Sequence, residues 1–172
     1  MMNTGTLKLA TRGDREIVMT RVFAAPSRSV CDAFTKPELL KRWLLGPPGW
    51  SMVVCEVALQ VGDRYRYVWR GPEGIEMGLR GVLREISPPE RIVATEEFDQ
   101  PWYPGEAVGT LMLVEEGGKT TLTQTILYDS REARDLVLRS PMERGVAMSY
   151  DRMTEVLASL ASSAAEEEAK ES

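Results

Sequence analysis

Histidine is absent from the 172 residues, and cysteine occurs only twice. Without histidine there is no Ser-His-Asp or Cys-His catalysis, no HExxH zinc site and no imidazole proton shuttle near neutral pH. Cys31 and Cys55 stand apart among apolar neighbours without metal-ligand spacing, so no transition-metal site, and no cofactor, is expected. A basic excess is missing too. The formal net charge is -5 and the isoelectric point near 5.0, which argues against a nucleic-acid partner. No apolar run approaches the roughly 18–20 residues of a membrane span, and MMNTGTLKLATRGDRE lacks the apolar segment of a secretory signal. The expectation is a cytoplasmic protein with reduced thiols, without a membrane partner, as monomer or homodimer.

What remains is ordinary: 43% hydrophobic and 27% charged residues, enough for one domain with a real core. The expected domain spans 12–163, between an N-terminal extension (1–11) and an acidic tail (164–172). REIVMTRVFA (15–24) is rich in β-branched residues and reads as a first strand ending near Pro26. Pro26 suits the first position of a helix over SRSVCDAF, and the Thr35–Glu38 spacing caps a second over LLKRWLL. From Ser51 the period changes to two. WSMVVCEVAL, RYRYVWR, IEMGLRGVLREI, RIVATEEF, AVGTLMLVEE and KTTLTQTILY read as strands joined by turns, with Gly117-Gly118 as a hairpin signal. Seven antiparallel strands result.

The DSRE (129–132) and SPME (140–143) spacings open a short and a long helix. In the long one Met142, Val146, Ser149, Tyr150, Met153, Val156, Leu157 and Leu160 make an apolar stripe. A helix over 141–162 is about 33 Å long, close to the width of seven strands about 4.8 Å apart. The layout is α+β: one curved sheet gripping one long helix, two short helices closing one end, and a cavity between.

Several segments in this order carry a family resemblance. They are Arg21-Val22-Phe23 with Ala25-Pro26, PELLKRW (37–43) before Gly46-Pro47, GDRYRYVWRGPEG (62–74), TEEFD (95–99) and SYDRM (149–153). Over residues 12–161 the chain resembles the bacterial Activator-of-Hsp90-ATPase-homologue-like branch of the START/SRPBCC superfamily. It departs from many relatives at Leu44, where they carry a second tryptophan. The resemblance implies the helix-grip (START/Bet v 1-like) fold and a hydrophobic cavity. Function follows less directly, because the superfamily includes lipid and metabolite carriers, hormone receptors, polyketide cyclases and co-chaperone domains.

The cavity residues follow from alternation. In RYRYVWR, Tyr65, Tyr67 and Trp69 share one face and Arg64, Arg66 and Arg70 the other; burying unpaired guanidinium groups is costly, so the aromatics should meet the helix. Met77 and Leu79 continue that face. In RIVATEEF the more apolar set is Ile92, Ala94, Glu96 and Phe98, which carries Glu96 inward as a single polar anchor for a ligand's amine or hydroxyl; the alternative is a one-residue slip or bulge that puts Glu96 in water and Glu97 inside. Met112, Met142 and Met153 suit an adaptable lining, beside Val146 and Tyr150. Trp43 is expected to close one end, as plain core or as a gate, and Trp102 to sit at the mouth in DQPWYPGE as a second gate. No catalytic residue stands out.

Three functions are then open. The first is binding of a small hydrophobic or amphipathic molecule. The second is a stress-linked, co-chaperone-like interaction with an Hsp90-type ATPase. The third is an enzyme of cyclase or hydrolase type using a carboxylate and tyrosines.

Overall fold

The structure, a computed structural model, describes residues 6–171. One antiparallel sheet carries the fold. Its strands are β1 (Lys8–Arg12), β2 (Glu16–Phe23), β3 (Ser51–Glu56), β4 (Arg64–Arg70), β5 (Glu76–Ser87), β6 (Arg91–Phe98), β7 (Ala107–Glu116) and β8 (Lys119–Leu127), in the spatial order β1-β2-β8-β7-β6-β5-β4-β3. The helices are α1 (Ser27–Thr35), α2 (Pro37–Trp43), α3 (Arg131–Leu138) and α4 (Met142–Glu171). The chain therefore leaves β2, near one edge, through α1 and α2 and re-enters at the opposite edge in β3. Those two helices and α4 cover the concave face, which is the helix-grip arrangement.

Eight strands replace the expected seven. The additional β1 pairs with β2 from Lys8↔Thr20 to Arg12↔Glu16, so the sheet begins inside the segment expected to be an extension; residues 1–5 of that segment lie outside the described residues. Among the described residues only Leu7 and Leu9 reach the core from this edge, too short a pattern for period-two reading. The Gly117-Gly118 hairpin forms as expected. Both glycines have positive φ (58° and 78°) and Glu116 pairs with Lys119, the geometry that favours glycine in a two-residue hairpin loop.

The helix starts differ in detail from the capping-box readings. Pro26 is the N-cap of α1 and not its first residue. The Thr35 hydroxyl donates back to the Cys31 carbonyl at 3.0 Å, and α2 starts from Lys36 without a side-chain cap. Ser130, one residue after Asp129, caps α3 by accepting from the Ala133 N–H at 3.1 Å. Ser140 accepts from the Met142 N–H at 3.3 Å as α4 begins.

The α4 stripe packs as its period dictates: Ser149, Tyr150, Met153, Val156 and Leu157 are buried. They meet Phe23, Val30, Leu40, Trp43, Leu111, Leu113 and Leu122 in the main core. The helix runs on beyond the expected 162, and residues 161–170 are exposed; over these residues the acidic tail is helical and solvated. Arg21, only 3% exposed, rises from β2 to pair with Asp151 at 2.8 Å and covers the Phe23 ring. A buried guanidinium thus ties α4 to the sheet.

Candidate functional site

Between the sheet and the first half of α4 lies a cavity of about 400 Å³, inside the roughly 300–1,000 Å³ range of small-molecule sites. Its floor is the concave face of β4 to β8. Tyr65, Tyr67 and Trp69 form a continuous aromatic ladder there, with ring centroids 5.1 Å and 5.9 Å apart. The arginines of β4 point outward. Arg66 holds Asp99 through two bonds of 2.8 Å and 2.6 Å, and Arg70 pairs with Glu76 at 2.7 Å. Val68 shares that outer face yet is buried.

Ile92, Ala94, Glu96 and Phe98 all line the cavity. The reason Glu96 turns inward is visible in the ladder between β5 and β6. Pairing runs from Leu79↔Phe98 to Arg80↔Glu97 and resumes at Leu83↔Ala94. Across the gap, side chains supply the bonds: the Tyr65 hydroxyl donates to the Thr95 carbonyl at 2.5 Å, and the Thr95 hydroxyl accepts from the Val82 N–H at 2.8 Å. Thr95 is thereby fixed on the outer side and Glu96 on the inner. No hydrogen bond or ion pair joins the Glu96 carboxyl to another described residue. Burial among apolar side chains pushes its pKa up to about 7, because low polarity disfavours the charged form. The phenols of Tyr65, Tyr67 and Tyr150 are held above their ordinary range, first by burial; the Glu96 charge comes next for Tyr65 and Tyr150, and for Tyr67 it follows Cys55.

The end of the cavity is closed by RWLLGPPGW (42–50). Trp43 is 1% exposed; its indole N–H donates to the Ala33 carbonyl at 2.8 Å and its ring packs on Phe34. The following loop is tied down from two sides. The Trp69 indole donates to the Leu44 carbonyl at 2.8 Å, and Arg152 of α4 donates to the Gly46 carbonyl at 3.0 Å. Gly46 and Pro47 then form part of the lining. Trp50 turns away and lays its ring on Gly71, where a β-carbon would collide with it.

Of the residues expected from sequence, Trp43, Tyr65, Tyr67, Trp69, Met77, Leu79, Glu96, Phe98, Met142, Val146 and Tyr150 line the cavity. Three do not. Met112 is 41% exposed, because β7 turns Ala107, Gly109, Leu111 and Leu113 inward and Met112 outward. Trp102 is 43% exposed and packs edge-to-face on Tyr103 outside the cavity, where Tyr103 packs on Tyr128. Met153 is fully buried in packed core, one turn past the cavity.

Residues not anticipated as lining include Met19, Phe34, Leu44, Gly109, Leu111, Gln124 and Ile126. The β8 members were within reach of the sequence: Leu122, Gln124 and Ile126 alternate with three threonines, which marks their face.

Among the described residues no helix is long and apolar enough to cross a membrane. A family model described as Activator of Hsp90 ATPase homolog 1-like protein matches residues 24–158. No curated protein matches the sequence. Among solved structures, a Rhodobacter sphaeroides protein shares 33% identity and a TM-score of 0.85, covering 89% of this chain and 98% of its own. A Mycobacterium smegmatis protein, 21% identical, gives 0.78 over 88% and 97%. The AHSA1 protein of Silicibacter pomeroyi, 18% identical, gives 0.68 over 83% and 97%. The last two share the fold.

Proposed function

The chain belongs to the Activator of Hsp90 ATPase homolog 1-like family, and from that premise we propose that it binds a small hydrophobic or amphipathic molecule between the sheet and α4. The observation that carries this reading is the cavity itself: about 400 Å³, walled by aromatic and aliphatic side chains, with few polar groups. A fold of this size ordinarily fills such a space with its own side chains. Cys31 and Cys55 stand as separate free thiols, which suits work in a reducing compartment, the cytoplasm.

A family role of the co-chaperone type is the second reading, and the family description is what favours it. A catalytic reading has less to work with, since Glu96 is the one carboxyl group among the lining side chains and acid–base chemistry ordinarily takes a pair.

Native mass spectrometry of the chain purified from its own cells tests the proposal. The expected result is a small apolar adduct on the wild type that is lost in Ala94→Phe, which fills the cavity. Adduct-free wild-type protein that instead co-purifies with an Hsp90-type ATPase favours the second reading.

A further inference from the structure

Two of the cavity's polar side chains converge on one point. Gly109, on the inner face of β7, has no side chain, and Glu96 and Gln124 lean over it from β6 and β8. A β-carbon on Gly109 would stand 3.8 Å from the Glu96 carboxyl and 3.0 Å from the Gln124 amide nitrogen. Neither side chain hydrogen-bonds to another described residue, so the Glu96 carboxyl presents open acceptors, and the Gln124 carboxamide an unpaired amide nitrogen, to the same small space. Among the described residues no lysine or arginine belongs to the lining, and the aromatic ladder of β4 flanks it.

We propose that the cavity selects an amphiphile with a protonated amine head, seated against Glu96 over Gly109, and disfavours one with a carboxylate head. The proposal rests on the ligand-binding reading above. An ammonium group brings donors and a positive charge to the Glu96 carboxyl, the one ionisable carboxyl among the described lining residues. Such a charge-assisted bond is about twice as strong as a neutral one, and aromatic faces add a favourable cation–π contribution. A carboxylate head would meet Glu96 as a like charge, with no cation in the lining to receive it.

The other titratable groups facing Glu96 do not change this balance. They are phenols: Tyr65 and Tyr67 from β4, Tyr103 from the β6–β7 connection, Tyr128 after β8 and Tyr150 from α4, all held neutral by burial. Arg21 touches Tyr150 electrostatically from β2 but is engaged with Asp151. An ammonium ligand draws Glu96 into its ionised form, so amine affinity should rise as pH passes upward through about 7.

The test is displacement of the neutral dye Nile red from the full chain by dodecylamine, dodecanol and dodecanoic acid, in wild type and Glu96→Gln. The proposal expects wild type at about pH 8 to prefer the amine over the acid by about tenfold or more. Glu96→Gln should lose most of that preference. Equal affinities for amine and acid in wild type, or a preference that survives in Glu96→Gln, overturn the proposal and leave hydrophobic binding standing. Failure of the dye and dodecanol to bind at all overturns both. Non-specific attraction of amines to the acidic surface persists in the variant, so it is not mistaken for the effect.

Discussion

Tyr65 and Thr95 are bonded across a strand that separates them. The Tyr65 hydroxyl, from β4, donates to the Thr95 carbonyl of β6 at 2.5 Å, and its ring crosses β5 at Gly81, where a β-carbon would collide with both the ring and that carbonyl. The contact replaces a ladder bond that β5 does not make and sets which way Glu96 faces.

Tyr65→Phe should therefore leave the Thr95 carbonyl without its buried donor and destabilise the fold by about 1–3 kcal/mol. Gly81→Ala should cost more, since both the ring and backbone must shift. Denaturant midpoints measure the difference. A Tyr65→Phe protein as stable as wild type would show that the bond does not hold the strand gap.

Met153 lies in filled core and Met142 lines the cavity, so equal truncations should have unequal effects. Met153→Ala is expected to cost about 2–5 kcal/mol and to leave Nile red affinity unchanged. Met142→Ala should cost less and enlarge the site. Thermal melts and dye titration on the two variants decide it; a small loss at Met153 would mean that the core there relaxes around the missing side chain.

The aromatic ladder of β4 and the inward set of β6 were legible because one face of each strand is charged or polar and the other is not. Met112 was misread because β7 is apolar on both faces: Leu111 and Leu113 compete with Val108, Met112 and Val114. The register of the Gly117-Gly118 hairpin resolves it, pairing Leu113 with Leu122 and Leu111 with Gln124. Trp102 was placed by loop position, which carries no orientation. The convergence of Glu96 and Gln124 on Gly109 needed three strands aligned, and no single segment contains it.

Arg152 links α4 to the loop that borders the cavity through the Gly46 carbonyl. Arg152→Ala should remove about 1 kcal/mol of stability at most, as for a half-exposed bond. It should also speed both entry and exit of a bound dye in stopped-flow mixing, leaving affinity nearly constant. Unchanged rates would mean that ligands reach the cavity by another route, past Leu59 and Met77.

Glu96 should make the protein less stable as the solution becomes more alkaline. Its folded-state pKa of about 7 lies above the ordinary 4.5 because burial disfavours the carboxylate. Between those two values the folded chain holds a proton that the unfolded chain has released, so unfolding stability falls as pH rises through this window and levels off above it. At 1.36 kcal/mol per unit the full effect is about 3 kcal/mol, an upper bound because the Glu96 side chain is only partly buried. Glu96→Gln removes the ionisation while keeping the shape. The variant should match wild type near pH 4 and exceed it in stability above pH 7. Denaturation series on both proteins across that range give the difference directly, and parallel curves would show that the Glu96 carboxyl is hydrated and not desolvated.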